Sequence, residues 1–183
     1  MQIIVIRHGE TRLNKENRLQ GSKGENEGLT QEGKSMVEKL RDTLLLSPTT
    51  MYISPLARTQ ETASILNERF HAPIVLVPEL VERDFGTLSG KLRSDVDPKI
   101  LEDDLEEKYD YHPYNGESIG DVKERVVSFL STLPLSSNET VFFVTHRGIV
   151  RVLYDLYPNN VLSSEVLPAS KHAFHINSLP KMV

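Results

Sequence analysis

Residues 3–10 read IIVIRHGE, and residues 141–148 read VFFVTHRG. In each stretch four apolar residues are followed, two positions later, by a histidine. Short apolar runs of β-branched and aromatic residues are typical of strands buried on both faces of a parallel sheet. The two stretches therefore predict a pair of buried strands that end in the same way.

The rest of the chain alternates apolar runs with helical patterns. Further strands are predicted at 51–53, 74–77 and 173–176, and helices at 30–44, 56–70, 118–133 and 148–157. Strands that alternate with helices imply crossover connections. We therefore expect an α/β fold, a three-layer sandwich whose mostly parallel central sheet is flanked by helices, in one domain spanning residues 1–183.

Local signals mark the starts of three of these helices. Thr30 is a candidate N-cap for a helix whose apolar stripe would contain Met36, Val37, Leu40 and Leu44. Ser54 before Pro55 suggests a capping residue followed by proline at the first helical position. Ser118 with Asp121 resembles a capping box.

The composition narrows the possible functions. The chain has 183 residues, a net charge of −5 and no cysteine, which excludes disulfides and cysteine nucleophiles. The missing cysteines fit a reducing cytoplasm, where we expect the protein to act. No apolar run approaches the ~20 residues of a membrane span, and no signal-peptide pattern is present. We expect no membrane or nucleic-acid partner, since the latter would leave a basic footprint.

The two histidines that follow the apolar strands predict a ligand site. In open α/β sheets ligands bind in the crevice beyond the carboxyl ends of the strands, where His8 and His146 would both lie. Gly9 and Gly148 follow them closely and would let the backbone approach a ligand.

An acidic segment interrupts the alternation. Between Lys91 and Asn115, eight acidic residues stand against four basic ones. We expect a partly helical insertion over one edge of the sheet and over the ligand site. Carboxylates at the mouth would disfavour highly anionic ligands such as bisphosphates.

Five motifs in the chain resemble those of the histidine phosphatase superfamily, the phosphoglycerate mutase-like enzymes. They are RHGET at residues 7–11 with Asn14 after it, SPLARTQET at 54–62, ELVERDFGTLSG at 79–90, NGES at 115–118 and VTHRG at 144–148. They occur in the expected order and span nearly the whole chain. Two departures are SKGENEG at 22–28, where the family often has Asp-x-Pro, and Arg147, where it often has a small residue.

The resemblance implies a role for each matching residue. His8 would be the nucleophile that forms phosphohistidine, and Glu82 the proton donor. Arg7, Arg58 and His146 would form a cationic cradle for the phosphoryl group, with Asn14 near the phosphate. Arginine offers planar, permanently charged forks that match phosphate oxygens. No metal and no cofactor would be required.

Plainer interpretations stand beside these roles. Arg7 would otherwise pair with Glu10, and Arg58 with Glu61 on its own helix. Glu82 would otherwise belong to a solvated charge cluster.

Asn14 would otherwise be an ordinary turn residue. We expect Arg147 to point outward as the first residue of its helix rather than to touch the substrate. Ser118 lies in a GxSxG pattern like that of serine hydrolases, but a loop precedes it instead of the required strand. His172 and His175 are taken as ordinary strand or loop residues.

The resemblance implies a metal-independent phosphatase that hydrolyses small phosphorylated metabolites as a monomer or homodimer. The first alternative is a cofactor-dependent phosphoglycerate mutase, and the second is an inactive regulatory relative. Mutases of this type are longer, whereas only 35 residues follow Gly148, which favours the phosphatase.

Overall fold

The computed structural model describes residues 1–23, 27–135, 137–160, 162 and 165–180, so the middle of the SKGENEG segment lies outside the described residues. Their five strands form one sheet: β1 Gln2–Arg7, β2 Thr50–Ile53, β3 Ile74–Leu76, β4 Thr140–Thr145 and β5 Lys171–His175. The strand order is β3-β2-β4-β1-β5. Strands β1 to β4 run parallel, and β5 lies antiparallel to β1 at one edge. This is the mostly parallel sheet that the sequence predicts.

Six α-helices of the described residues accompany the sheet: α1 Arg12–Lys15, α2 Gln31–Thr43, α3 Ala57–Phe70, α4 Pro98–Leu105, α5 Ile119–Ser131 and α6 Arg147–Leu156. Helices α2 and α3 pack on one face of the sheet, and α5 and α6 pack on the other. The three-layer arrangement is confirmed.

Alternation along β1 and β4 explains why both strands are apolar throughout. Ile3 and Val5 face the α5 and α6 layer, whereas Ile4 and Ile6 face α2 and α3. Each of these four side chains is at most 6% exposed. A central parallel strand covered by helices on both faces has no solvent side, so the period-2 polar pattern is missing.

Two of the predicted helix caps are confirmed. The Thr30 hydroxyl accepts a hydrogen bond from the Gly33 N–H at 2.9 Å, and α2 begins one residue later. At α5, Ser118 accepts from the Asp121 N–H while the Asp121 carboxylate accepts from the Ser118 N–H. Ser118 is therefore a capping residue at the end of a loop and not a hydrolase nucleophile.

Two details of the helix predictions are wrong. Helix α3 begins at Ala57 behind Leu56, and Ser54 does not cap it. In the apolar stripe predicted for α2 and its C-cap, Val37, Leu40 and Leu44 are buried, but Met36 is 40% exposed. Met36 lies about 100° around the helix from Val37 and about 40° from Leu40, so it is at the edge of the buried stripe and partly exposed.

Candidate active site

The carboxyl ends of β1 and β4 bring the two histidines together. The strands are neighbours in register, with Arg7 opposite Thr145, and the His8 N–H donates to the Thr145 carbonyl at 2.9 Å. The imidazole rings of His8 and His146 have their centroids 5.2 Å apart. Equivalent positions on adjacent parallel strands therefore converge on one point.

The hydrogen bond of His8 determines which ring nitrogen is free. Its Nδ1 lies 2.7 Å from the Gly9 carbonyl oxygen. A carbonyl can only accept, so Nδ1 carries the proton and Nε2 keeps its lone pair. In the neutral ring, this hydrogen bond leaves the lone pair of His8 on Nε2.

His146 has the opposite tautomer. The Arg58 Nε–H donates to His146 Nδ1 at 3.3 Å, which leaves the ring proton on Nε2. That Nε2–H donates to the Ser54 hydroxyl at 2.8 Å. Ser54, which we expected to cap a helix, instead orients this imidazole.

Both histidines are neutral because of their surroundings. Burial, followed by the charges of Arg58 and Arg7, lowers the pKa of His8 well below its ordinary value. Burial and the Arg58 charge do the same to the pKa of His146. The expectation that His146 adds positive charge does not fit this arrangement, so the cations here are the arginines.

Arg7 and Arg58 are buried cations held by backbone carbonyls. Arg7 Nη1 donates to the Val166 carbonyl at 2.7 Å, and Arg58 Nη2 donates to the Gly21 carbonyl at 3.1 Å. Burial lowers the pKa of each to about 10, so both stay charged at neutral pH. Neither arginine forms an ion pair with a carboxylate in the described ranges, and buried cations of this kind favour binding of an anion.

The alternative ion pairs for these arginines are not formed in the described structure. Glu10 accepts from the Thr30 hydroxyl instead of pairing with Arg7. Glu61 accepts from the Leu29 N–H and lies near Lys34, away from Arg58.

Glu82 is 6% exposed, which rules out a solvated charge cluster. Its carboxylate accepts from the Arg83 N–H at 3.0 Å and from the Gly148 N–H at 3.2 Å. A Cβ on Gly148 would lie 2.2 Å from Glu82 Oε1. Gly148 is therefore needed for the close approach of this carboxylate, where we had expected a ligand.

Arg83 connects the site to the 91–115 segment. Its Nη2 lies 2.7 Å from the Asp104 carboxylate, which also accepts from the Tyr111 hydroxyl. Among the described residues, Arg83 Nε and Nη1 are buried without a hydrogen-bond partner, and the guanidinium stacks over Phe85 and Tyr109. The charge of Asp104 is therefore neutralised by Arg83 inside the protein and does not face the cavity mouth.

A cavity of about 630 Å³ opens beside these groups. Four predicted site residues line it: Arg7, His8, Asn14 and Glu82. Arg58 and His146 do not line this cavity, and both are at most 1% exposed. His146 instead lies next to His8, and Arg58 hydrogen-bonds to His146.

Asn14 combines the two roles that we considered. It lines the cavity, and its Oδ1 accepts from the Thr11 N–H in a capping box that starts the short helix α1. Its Nδ2 donates to Gln20 Oε1 at 3.4 Å. The fold of the turn presents this amide toward the cavity.

The expectation for Arg147 is wrong, because its side chain lines the cavity instead of pointing outward. Burial, together with the charges of Arg93 and Arg83, lowers its pKa. It directly follows His146, so the turn that buries the histidine also directs the arginine inward.

The charge of the cavity wall also differs from expectation. The described lining contains six arginines and two glutamates: Arg7, Arg18, Arg83, Arg93, Arg147 and Arg151 against Glu82 and Glu165. From the 91–115 segment only Arg93 and Leu105 take part. The mouth is therefore cationic, and the prediction that it repels multiply charged anions is not supported.

The described part of the chain contains no cluster of metal ligands and no membrane-spanning helix. No group of three or more His, Asp or Glu side chains there could hold a metal ion. None of the helices there is long and apolar enough to span a bilayer.

Comparison with known proteins decides the family, since the model of the histidine phosphatase superfamily (branch 1) matches residues 3–164. The chain belongs to this superfamily. A metal-independent phosphoserine phosphatase of Arabidopsis thaliana is 28% identical, over 96% of this chain and 76% of that protein. A 2,3-bisphosphoglycerate-dependent phosphoglycerate mutase of Bartonella henselae is 30% identical, over 96% and 92%.

The fold agrees with the same superfamily. The crystal structure of a phosphoglycerate mutase from Thermus thermophilus superimposes with a TM-score of 0.75 at 31% identity, covering all of both chains. This superfamily member is therefore similar to enzymes of both phosphatase and mutase type.

Proposed function

We propose that the protein is a metal-independent phosphatase that hydrolyses small phosphomonoesters through a phosphohistidine on His8. The observation that carries this proposal is the His8 Nδ1–Gly9 carbonyl hydrogen bond of 2.7 Å. Because burial and the nearby arginines lower the pKa of His8, its ring is neutral, and this bond leaves the Nε2 lone pair free beside a cavity lined by arginines. A neutral, oriented imidazole beside fixed cations is suited to attack a phosphoryl group.

In the first step, the His8 Nε2 lone pair attacks phosphorus and the bond between phosphorus and the ester oxygen breaks. Arg7, which lines the cavity, stabilises the charge on the transferring oxygens, and the buried charge of Arg58 next to His146 adds to it. Phosphoryl transfer requires positioning and charge stabilisation above all. Ser54 orients the neighbouring imidazole of His146, which in turn accepts a hydrogen bond from Arg58 and keeps its guanidinium in place.

Glu82 would handle the protons in both halves of the reaction. Protonated Glu82 gives its proton to the departing alkoxide oxygen, so the alcohol leaves neutral. The resulting carboxylate then takes a proton from water, whose oxygen attacks phosphorus as the phosphorus–nitrogen bond to His8 breaks. Inorganic phosphate leaves, and both residues return to their starting states.

The test is phosphate release from a panel of small phosphomonoesters, with and without EDTA, together with trapping of the phosphoenzyme. We expect turnover that survives chelation and an acid-labile phosphoryl group that disappears in His8→Ala. Loss of activity with EDTA would contradict the metal-free route. Absence of any phosphoenzyme would favour an inactive relative.

Phosphoglycerate mutase activity is the second candidate, because the relatives from Bartonella henselae and Thermus thermophilus carry that name. A mutase would require a bisphosphorylated primer and would return isomerised product. Product analysis with 3-phosphoglycerate separates the two activities, since a phosphatase yields free phosphate and glycerate.

A further inference from the structure

Two arginines in the cavity wall have side chains that no described residue binds. Arg18 pairs with Glu16, Arg83 with Asp104, and Arg151 with Glu107. Within the described ranges, the guanidinium groups of Arg93 and Arg147 form no hydrogen bond and no ion pair, although both line the cavity.

The backbone holds both residues in place. Arg147 is the first residue of α6 and follows His146 at the end of β4. Arg93 begins a 3₁₀ turn, and its N–H donates to the Asn17 carbonyl at 3.0 Å. The adjacent Leu92 pairs with Arg18 in an antiparallel bridge. The two cations are therefore presented from fixed elements and not from free loops.

Their charges act on one another and on the floor of the cavity. Burial, then the charges of Arg93 and Arg83, lower the pKa of Arg147. After burial, and against the opposing charge of Glu82, the charges of Arg147, Arg58 and Arg93 help to lower the pKa of Arg7. An anion between Arg93 and Arg147 would relieve this repulsion.

We propose that Arg93 and Arg147 form a second anion site, which binds a carboxylate or phosphate of the substrate other than its ester phosphate. The ester phosphate would lie at Arg7 and His8. This inference rests on the proposed function and narrows its substrate class to phosphomonoesters that carry a second anionic group.

The chemistry of the wall agrees with such a ligand. Guanidinium groups bind carboxylate and phosphate oxygens with paired, charge-assisted hydrogen bonds. Apart from Glu82, the described lining contains one acidic residue, Glu165. A volume of about 630 Å³ accommodates a small metabolite with anionic groups at both ends.

The closing experiment measures binding without turnover. Calorimetry compares alkylphosphonates with ω-carboxyalkylphosphonates of equal chain length, from two to five carbons. A third arm uses alkane-α,ω-bisphosphonates, which separates a carboxylate from a second phosphate. The variants are Arg147→Gln and Arg93→Gln, and the control is Lys91→Gln, which removes a nearby exposed charge outside the cavity lining.

We expect the wild-type protein to bind at least one doubly anionic series about 10- to 100-fold more tightly than the alkylphosphonates. Each arginine variant should lose most of that ratio, and Lys91→Gln should keep it. Equal binding of the three series by the wild type overturns the proposal. A parallel loss for all ligands in Arg147→Gln also overturns it, because Arg147 would then contact the first phosphate.

These results are separable from the proposed function. Preferential binding without hydrolysis of any phosphomonoester would retain the second anion site and refute the phosphatase. Hydrolysis of alkyl phosphates with no preference for a second anion would do the reverse.

Discussion

Replacing Asp104 with asparagine removes one charge from an ion pair that lies almost completely out of water. Asp104 and Arg83 are each 1% exposed. The Asp104 carboxylate lies 2.7 Å from Arg83 Nη2 and accepts a 2.7 Å hydrogen bond from the Tyr111 hydroxyl. Burial by itself lowers the pKa of Arg83, but the charges of Asp104 and Glu82 raise it overall.

The expected cost follows from the charge that is left behind. Breaking a buried ion pair by removing one partner destabilises a protein by about 3–5 kcal/mol, because the other charge stays buried and uncompensated. For a chain of this size each kcal/mol lowers Tm by about 2–4 °C. Asp104→Asn should therefore lower Tm by about 6–20 °C.

Urea unfolding and thermal denaturation of the whole chain measure the effect. Asp103→Asn is the matched control, since Asp103 pairs with Lys99 at 2.8 Å in an exposed i, i+4 geometry. Its loss should cost about 0.3–0.5 kcal/mol. The double variant Arg83→Met/Asp104→Leu should recover most of the stability, because apolar residues of similar volume replace both charges.

Two outcomes would refute this account. A loss of less than about 1 kcal/mol in Asp104→Asn would mean that water or another group compensates Arg83. A double variant that is less stable than Asp104→Asn would mean that packing around the pair matters more than its charge.

Three further predictions concern the site itself. The native pKa values of His8 and His146 are lowered, so the unfolded chain binds more protons than the native one below about pH 6.5. The free energy of unfolding should have its full value above that pH and should fall at lower pH by up to about 2.7 kcal/mol per pH unit for the two histidines. Urea unfolding at several pH values measures this change. A free energy of unfolding that does not change with pH would contradict the neutral histidines. Gly148→Ala should lower kcat about 10- to 100-fold with little change in Tm. The new Cβ would lie 2.2 Å from Glu82 Oε1 and would displace the carboxylate, which can move. An unchanged kcat would argue against Glu82 as the acid. Ser54→Ala should cost about 1–3 kcal/mol in urea unfolding, because His146 Nε2–H loses its partner, and Ser54→Thr should retain more stability if the hydroxyl is what matters.

Much of the fold was predictable because the signals are local. The apolar runs of β1 and β4 are continuous since both faces of each strand are covered. Thr30 and Ser118 bond to groups three residues away, so the sequence shows both the cap and its partner. These two helix starts were accordingly predicted correctly.

Ser54 shows where local reasoning fails. Serine before proline is a common start of a helix, and the sequence contains no hint of a different use. The partner of the Ser54 hydroxyl is His146, which is 92 residues away in the chain. Only the adjacency of β2 and β4 in the sheet brings the two together.

The predictions for Arg147 and for the 91–115 segment are wrong for the same reason. Charge counting suggested an acidic mouth, but the structure places Asp104 against Arg83 and turns Arg93 and Arg147 toward the cavity. Which charges neutralise one another depends on distances of a few ångströms between segments that are far apart in the chain. A count of charged residues contains no information about those distances, so it cannot show which charges are paired.

By itself the sequence determined the order of strands and helices, two helix caps and the positions of both histidines beyond their strands. These depend on periodicity and on contacts within a few residues. The tertiary structure alone decided the tautomers of His8 and His146, the burial of Glu82 against Gly148 and the two unpaired arginines of the described cavity wall. A side chain's proton and charge are set by partners across the fold, which strand pairing and helix packing bring within reach.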